Sequence, residues 1–216
     1  MAAIFLTSTG LTNAKVREAI LAEAGGMKDK SVAIITTADD EKEKGMYCQL
    51  ALKQFQESGC PKVDFVDLEI TADYDFSGYD IIYVSGGSTF RLLKFAKEAD
   101  FRKSIEGLLK RGGIYIGVSA GSCVMCPSIE ISEWKIKAGL SPDKDRFGLT
   151  DLSAFAFVPF LLAVHYEPDY AKVIKENAAR ANYPVRVLTD EQAFLIKDGK
   201  TGLIGEGEEV VNQIKA

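Results

Sequence analysis

Three sets of residues in this chain are spaced as an acyl-transfer site would require. Gly117, Ser119 and Gly121, within Gly113–Ile114–Tyr115–Ile116–Gly117–Val118–Ser119–Ala120–Gly121–Ser122–Cys123, form a G-x-S-x-G pattern, which puts a serine at the tip of a sharp strand-to-helix turn. Glycines on both flanks suit a turn that leaves no room for a Cβ and demands a positive φ. A serine hydroxyl is a poor nucleophile at neutral pH and needs a base. The sole histidine, His165, stands directly after the apolar run Phe155–Val164. The third set is Ser85–Gly86–Gly87–Ser88–Thr89. Its paired glycines let a backbone N–H face a cleft, and the amides of Gly87 and Ala120 are the candidate oxyanion donors. The plainer readings are an ordinary βα turn at Ser119 and a turn or phosphate nest at Gly86–Gly87. A nest is disfavoured, because no G-K-[ST] follows and no G-x-G-x-x-G is present.

A histidine base needs a carboxylate to orient it. Glu133, Asp143, Asp145 and Asp151 lie between Ser119 and His165, while Glu167, Asp169, Asp190 and Glu191 lie after it. Asp190–Glu191 follows the apolar stretch Val185–Thr189, again at an expected strand end. Cys123 and Cys126 spell C-x-x-C, but no second close pair or histidine cluster exists to complete a zinc site. These two, with Cys48 and Cys60, read as small buried thiols. No metal or organic cofactor is expected.

These residues need a scaffold, and the chain supplies one. Ala3–Thr7, Ser31–Thr37, Lys62–Leu68, Tyr79–Val84 and the stretch before Ser119 are short, apolar and rich in β-branched residues, as strands covered on both faces are. Helical periodicity separates them over Asn13–Ala24, about Glu41–Glu57, from about Thr89, and over Phe101–Lys110. Strands alternating with helices predict a parallel sheet with helices on both faces. Beyond Ser119, Ile129–Trp134 alternates like an edge strand, Asp169–Ala181 reads as a helix and Val185–Thr189 as a strand. Ala193–Ile196 and Thr201–Ile204 read as a hairpin turned at Asp198–Gly199. The expected fold is α/β, a three-layer α/β/α sandwich with a mostly parallel sheet and antiparallel additions at its C-terminal end, in one domain over residues 1–216. In an open sheet of this kind, sites gather outside the carboxyl ends of the strands.

Composition narrows the partners. Among 216 residues, 47% are hydrophobic and 26% charged, and 26 Lys plus Arg against 31 Asp plus Glu leave a net charge of −5. No basic surplus is available for phosphates, so neither a nucleic acid nor an anionic membrane is expected. The N-terminus lacks a signal peptide's charged and apolar regions, and the longest apolar run is about half of a membrane span and contains Pro159. A cytoplasmic protein, monomeric or homodimeric, is expected.

The order of a G-G-S-T loop at Gly86–Thr89, a G-x-S-A-G elbow at Gly117–Gly121, Cys126–Pro127 downstream, His165–Tyr166 after an apolar run and a late Asp190–Glu191 resembles the serine peptidases that include peptidase E (aspartyl dipeptidase) and cyanophycinase. The resemblance runs over most of the chain and is sharpest at Ser85–Thr89, Gly117–Pro127 and His165–Tyr166. It implies a fold similar to class I glutamine amidotransferase domains, with a serine in place of the cysteine nucleophile. It further implies Ser119 as nucleophile, His165 as base and a late acid, with Glu191 preferred and Asp190 or Glu133 as alternatives. The implied activity is hydrolysis of dipeptides or short peptides. Where the family carries an arginine after the histidine, this chain has Ala171 and Lys172, with Arg180 further along the helix; a peptidase is therefore implied more strongly than an aspartyl one. The other readings are an α/β-hydrolase-type esterase, which would place its acid between Ser119 and His165, and a catalytically inactive amidotransferase-like binding domain.

Overall fold

In the computed structural model, which describes residues 2–210, the elements follow one another as β1 (Ala3–Thr7), α1 (Ala14–Ala24), β2 (Ser31–Ile35), α2 (Met46–Glu57), β3 (Lys62–Val66), β4 (Ile81–Val84), α3 (Thr89–Glu98), α4 (Phe101–Lys110), β5 (Ile114–Val118), α5 (Ala120–Cys123), α6 (Glu130–Lys137), β6 (Leu161–Ala163), α7 (Ala171–Ala178), β7 (Val185–Val187), β8 (Gln192–Lys197) and β9 (Lys200–Gly205). The ends of the expected 1–216 domain lie outside the described residues.

The main sheet has the order β3-β2-β4-β5-β1-β8-β9, with the first five strands parallel and β8 and β9 antiparallel. Alternate residues of each strand feed two cores. Leu6, Ala33, Ile35, Ile82, Val84 and Tyr115 pack toward α3, α4 and α5. Phe5, Val32, Ile34, Ile81, Tyr83 and Ile116 pack toward α1 and α2. This two-sided burial is why the strands read as unbroken apolar runs, and each large side chain removed from water contributes roughly 1.5–3 kcal/mol. The three-layer α/β/α sandwich with a mostly parallel sheet is thus the observed architecture. No helix among the described residues is long and apolar enough to cross a membrane.

Local chemistry sets where helices begin. Asn13 caps α1 by accepting from Val16 N–H at 3.1 Å, and Gly25 ends it in the left-handed conformation. Ser88 caps α3 by accepting from Arg91 N–H, which fixes the exit of the Ser85–Ser88 loop from the sheet. The β8–β9 hairpin turns at Asp198 and Gly199, both with positive φ.

One expectation gives way. Ile129–Trp134 is not an edge strand, because α6 covers Glu130–Lys137. Ile131 and Lys135, four residues apart, form its buried face, while Glu130 and Glu133 open it and Lys135 and Lys137 close it, as a helix dipole favours. The Val185–Thr189 segment does form a strand over Val185–Val187, but it joins β6 in a separate two-stranded parallel sheet. Only Leu161–Ala163 of the Phe155–Val164 run is a strand. The part before Pro159 is irregular and held by backbone bonds to the 124–126 turn, such as Phe157 N–H to Met125 O at 2.8 Å.

One buried side chain couples the strands that frame the Ser119 turn. Ser122 Oγ accepts from Thr7 N–H at 2.8 Å and lies 2.8 Å from both the Thr7 and Gly117 carbonyls. Removing the hydroxyl takes the acceptor from the buried Thr7 N–H, while the Thr7 and Gly117 carbonyls keep Ser119 N–H and Thr7 Oγ1 as donors. Ser122→Ala should therefore lower stability by about 1–3 kcal/mol in urea unfolding, with an unchanged far-UV spectrum.

Candidate active site

The parallel strands deliver their loops to one cleft of about 530 Å³, lined by segments that follow β1 (Ser8–Thr12), β2 (Ala38–Asp40), β4 (Ser85–Ser88) and β5 (Ser119). Strand β2 leads outward to β3, whereas β4 leads the other way to β5. The connections leaving their carboxyl ends therefore diverge, which is where open α/β sheets form crevices.

Ser119 alone makes the turn from β5 into α5. Its φ of 50° and ψ of −106° lie outside the ordinary regions for a residue with a Cβ. Neighbours hold it there. Its N–H donates to Thr7 O at 2.9 Å, and its carbonyl accepts from Ser122 and Cys123 N–H. The flanking glycines are required by contact: a Cβ on Gly117 would stand 2.5 Å from Gly121 O, and one on Gly121 would stand 2.5 Å from Val84 O.

His165 follows β6 with a φ of 53°. Ser8 Oγ accepts its N–H at 3.1 Å and donates to Leu188 O at 3.2 Å. The result is a continuous line of contacts: Ser119 Oγ to His165 Nε2 at 3.0 Å, and His165 Nδ1 to Asp190 Oδ1 at 2.6 Å. Asp190 is anchored in turn by Thr9 Oγ1, which donates to its carbonyl at 2.9 Å. Glu191, the preferred acid from the sequence, is elsewhere. Its carboxylate accepts from Asn13 Nδ2 at the start of α1. Glu133 pairs with Lys137 on α6 at 2.9 Å.

Gly86 and Gly87 border the serine. A Cβ on Gly86 would stand 3.2 Å from Ser119 Cβ, and one on Gly87, whose φ is 136°, would stand 2.2 Å from Ala38 O. Neither the Gly87 nor the Ala120 N–H finds an acceptor among the described residues. Ala171, Lys172 and Arg180 do not line this cleft.

Lys135 was not legible as part of this region. It is buried, and its Nζ donates to Val164 O at 3.0 Å and lies 4.3 Å from the centre of the Tyr170 ring. Burial holds its ammonium pKa below the usual lysine value. The lysine thereby braces the residue before His165. Its four-residue spacing from Ile131 would have revealed it once the segment was taken as a helix. The C-x-x-C thiols are buried, and burial raises both, Cys123 to about 11, so neither is a thiolate at neutral pH. Among the described residues no group of three or more His, Cys, Asp or Glu side chains is arranged to hold a metal.

Residues 4–204 match the family model described as Peptidase family S51. The uncharacterized peptidase PM1590 of Pasteurella multocida is 27% identical over 202 residues, covering 92% of this chain and 95% of that one. Peptidase E of Salmonella paratyphi A is 46% identical over a shorter stretch of 50 residues, 23% of this chain and 22% of the relative. In three dimensions, a candidate peptidase E protein of Listeria monocytogenes superposes with a TM-score of 0.76 at 23% identity, over 96% of this chain and all of that one. That last likeness is one of fold.

The strain at Ser119 has a measurable consequence. Ser119→Gly removes the Cβ that makes φ of 50° costly and should raise stability by about 1 kcal/mol, a few degrees in Tm. Ser119→Ala keeps the Cβ and should show no such gain. Scanning calorimetry of the two variants checks this.

Proposed function

The chain belongs to peptidase family S51, and we propose that it is a serine-type, peptidase E-like hydrolase of dipeptides or short peptides, with Ser119, His165 and Asp190 as its catalytic triad. The observation that carries the reading is the unbroken line from Ser119 Oγ through both nitrogens of one imidazole to Asp190. Accepting the Nδ1–H, Asp190 fixes the tautomer that leaves Nε2 free as an acceptor for the serine proton.

Ser119 Oγ attacks the scissile carbonyl carbon as its proton passes to Nε2. The carbonyl oxygen becomes an oxyanion held by the Gly87 and Ala120 amides, each donor lowering the barrier by roughly 3–4 kcal/mol. His165 then gives its proton to the departing amine, leaving an acyl-serine. Water, deprotonated by the same imidazole, attacks the acyl carbon, and the proton returns to Ser119 as the acid product leaves. Throughout, Asp190 stabilises the imidazolium. The chain order Ser–His–Asp differs from the Ser–acid–His order of α/β-hydrolase esterases. A site with a preformed hydrogen-bonded triad is also more than a passive binding cleft requires.

The identity of the acid is the sharpest test. Asp190→Asn should lower kcat/KM on a dipeptide mixture by about 10⁴-fold, and Ser119→Ala by at least as much. Glu191→Gln, which leaves the imidazole untouched, should stay near the unsubstituted rate. Mass-spectrometric product counting decides it. Loss with Glu191→Gln and retention with Asp190→Asn would reverse the assignment.

A further inference from the structure

The cleft beside Ser119 is unlike one built for an acidic residue. None of its lining residues is a lysine or arginine, while three are aspartates: Asp39, Asp40 and Asp190. Two of these have partners. Asp190 meets His165, and Asp40 pairs with Arg91 at 3.1 Å and Arg146 at 3.3 Å. Asp39 has no cationic partner among the described residues. Its Oδ1 accepts from Glu41 N–H at 2.8 Å, and the buried Cys48 Sγ lies 3.9 Å from its Oδ2.

A second group in the same cleft also lacks a partner. Ser85 is 1% exposed, and its Oγ, beside the Cys48 thiol, makes no hydrogen bond of ordinary geometry among the described residues. Buried polar atoms are nearly always satisfied, so such an orphan at a ligand cleft calls for a ligand group. Both residues line the same cleft as Ser119. The backbone at Ala38–Asp39 packs against Gly87, and Gly86 packs against Ser119. The neighbouring wall, formed by Thr12, Gln54 and Tyr83, is neutral.

On the reading of the site as a serine peptidase, we propose that Asp39 and Ser85 form a subsite for a positively charged group of the substrate, an ammonium or guanidinium close to the scissile bond. The substrate class is then a cation-bearing peptide whose first residue is not acidic. A carboxylate there would meet Asp39 with no opposing lysine or arginine in the cleft lining. The cation has two possible sources, the α-ammonium of an N-terminal residue or a basic side chain. Asp39→Asn separates this role from a purely architectural one, because asparagine keeps the acceptor for Glu41 N–H and the shape while losing the charge.

Binding, measured apart from turnover, tests the subsite. Ser119→Ala protein is titrated calorimetrically with Ala-Ala, Lys-Ala, Asp-Ala and N-acetyl-Ala-Ala, with and without Asp39→Asn. We expect Asp-Ala to bind at least about tenfold more weakly than Ala-Ala, and Asp39→Asn to weaken the cation-dependent binding by about tenfold. N-acetylation abolishes the effect if the α-ammonium is the cation; a gain for Lys-Ala over Ala-Ala identifies a side chain. Ser85→Ala, a second variant, should weaken the same ligands by a smaller factor. If Asp-Ala binds as well as Ala-Ala, or if Asp39→Asn leaves every ratio unchanged with an unaltered Tm, the subsite is refuted. Charge-dependent binding without hydrolysis by the unsubstituted protein would support the subsite and instead overturn the peptidase reading.

Discussion

The site depends on how closely β5 and the helix after it can approach their neighbours. Gly117 and Gly121 nearly touch across the turn, and Gly121 lies against Val84 of the adjacent strand. With Ser122 bonded to Thr7 and Gly117, this packing leaves Ser119 only a positive-φ conformation, and the strain is held by contacts that any larger residue would break. The reward is geometric. The hydroxyl stands clear of its own strand, and the Ala120 amide beside it is left without an intramolecular acceptor among the described residues. His165, also at positive φ, is presented by an independent small sheet and tied to the β1 loop through Ser8. Two constrained backbones therefore converge on one hydrogen bond.

Much of this was legible in the residues. The strand runs before Ser85 and Ser119 are apolar because both faces of the sheet are covered, and the same runs place the loops that follow at one edge. The G-x-S-x-G pattern and the lone histidine mark positions where backbone and chemistry are both special. Less legible was any feature that depends on which way one side chain turns. Asp190 and Glu191 are the two central residues of the turn closed by Gln192 N–H to Thr189 O, and their side chains leave it toward different partners. Their order alone does not say which one faces the imidazole, and the longer residue proved to serve Asn13. Ile129–Trp134 alternates like a strand, yet its buried pair Ile131 and Lys135 has helical spacing. Missing that helix also hid the lysine that braces Val164.

The cleft separates what the family shares from what this chain adds. Membership in peptidase family S51 accords with the elbow, histidine and acid arrangement, whereas the charge of the cleft walls belongs to these particular residues. The positions after His165 where the family carries its arginine are not part of the cleft lining, which carries aspartates instead. On the proposed reading the triad sits on the loops after β5, β6 and β7, while the loop after β4 carries both the Gly87 amide and Ser85, beside Asp39 on the loop after β2.

The proposed chemistry turns on activation of Ser119 by His165. Reaction with a peptidyl phosphonate, followed by proteolysis and mass mapping, tests it most directly. A single phosphonyl adduct is expected on Ser119 at neutral pH, lost when His165 is replaced by alanine. An unmodified Ser119 after complete exposure, or an adduct that forms equally well without His165, would contradict it.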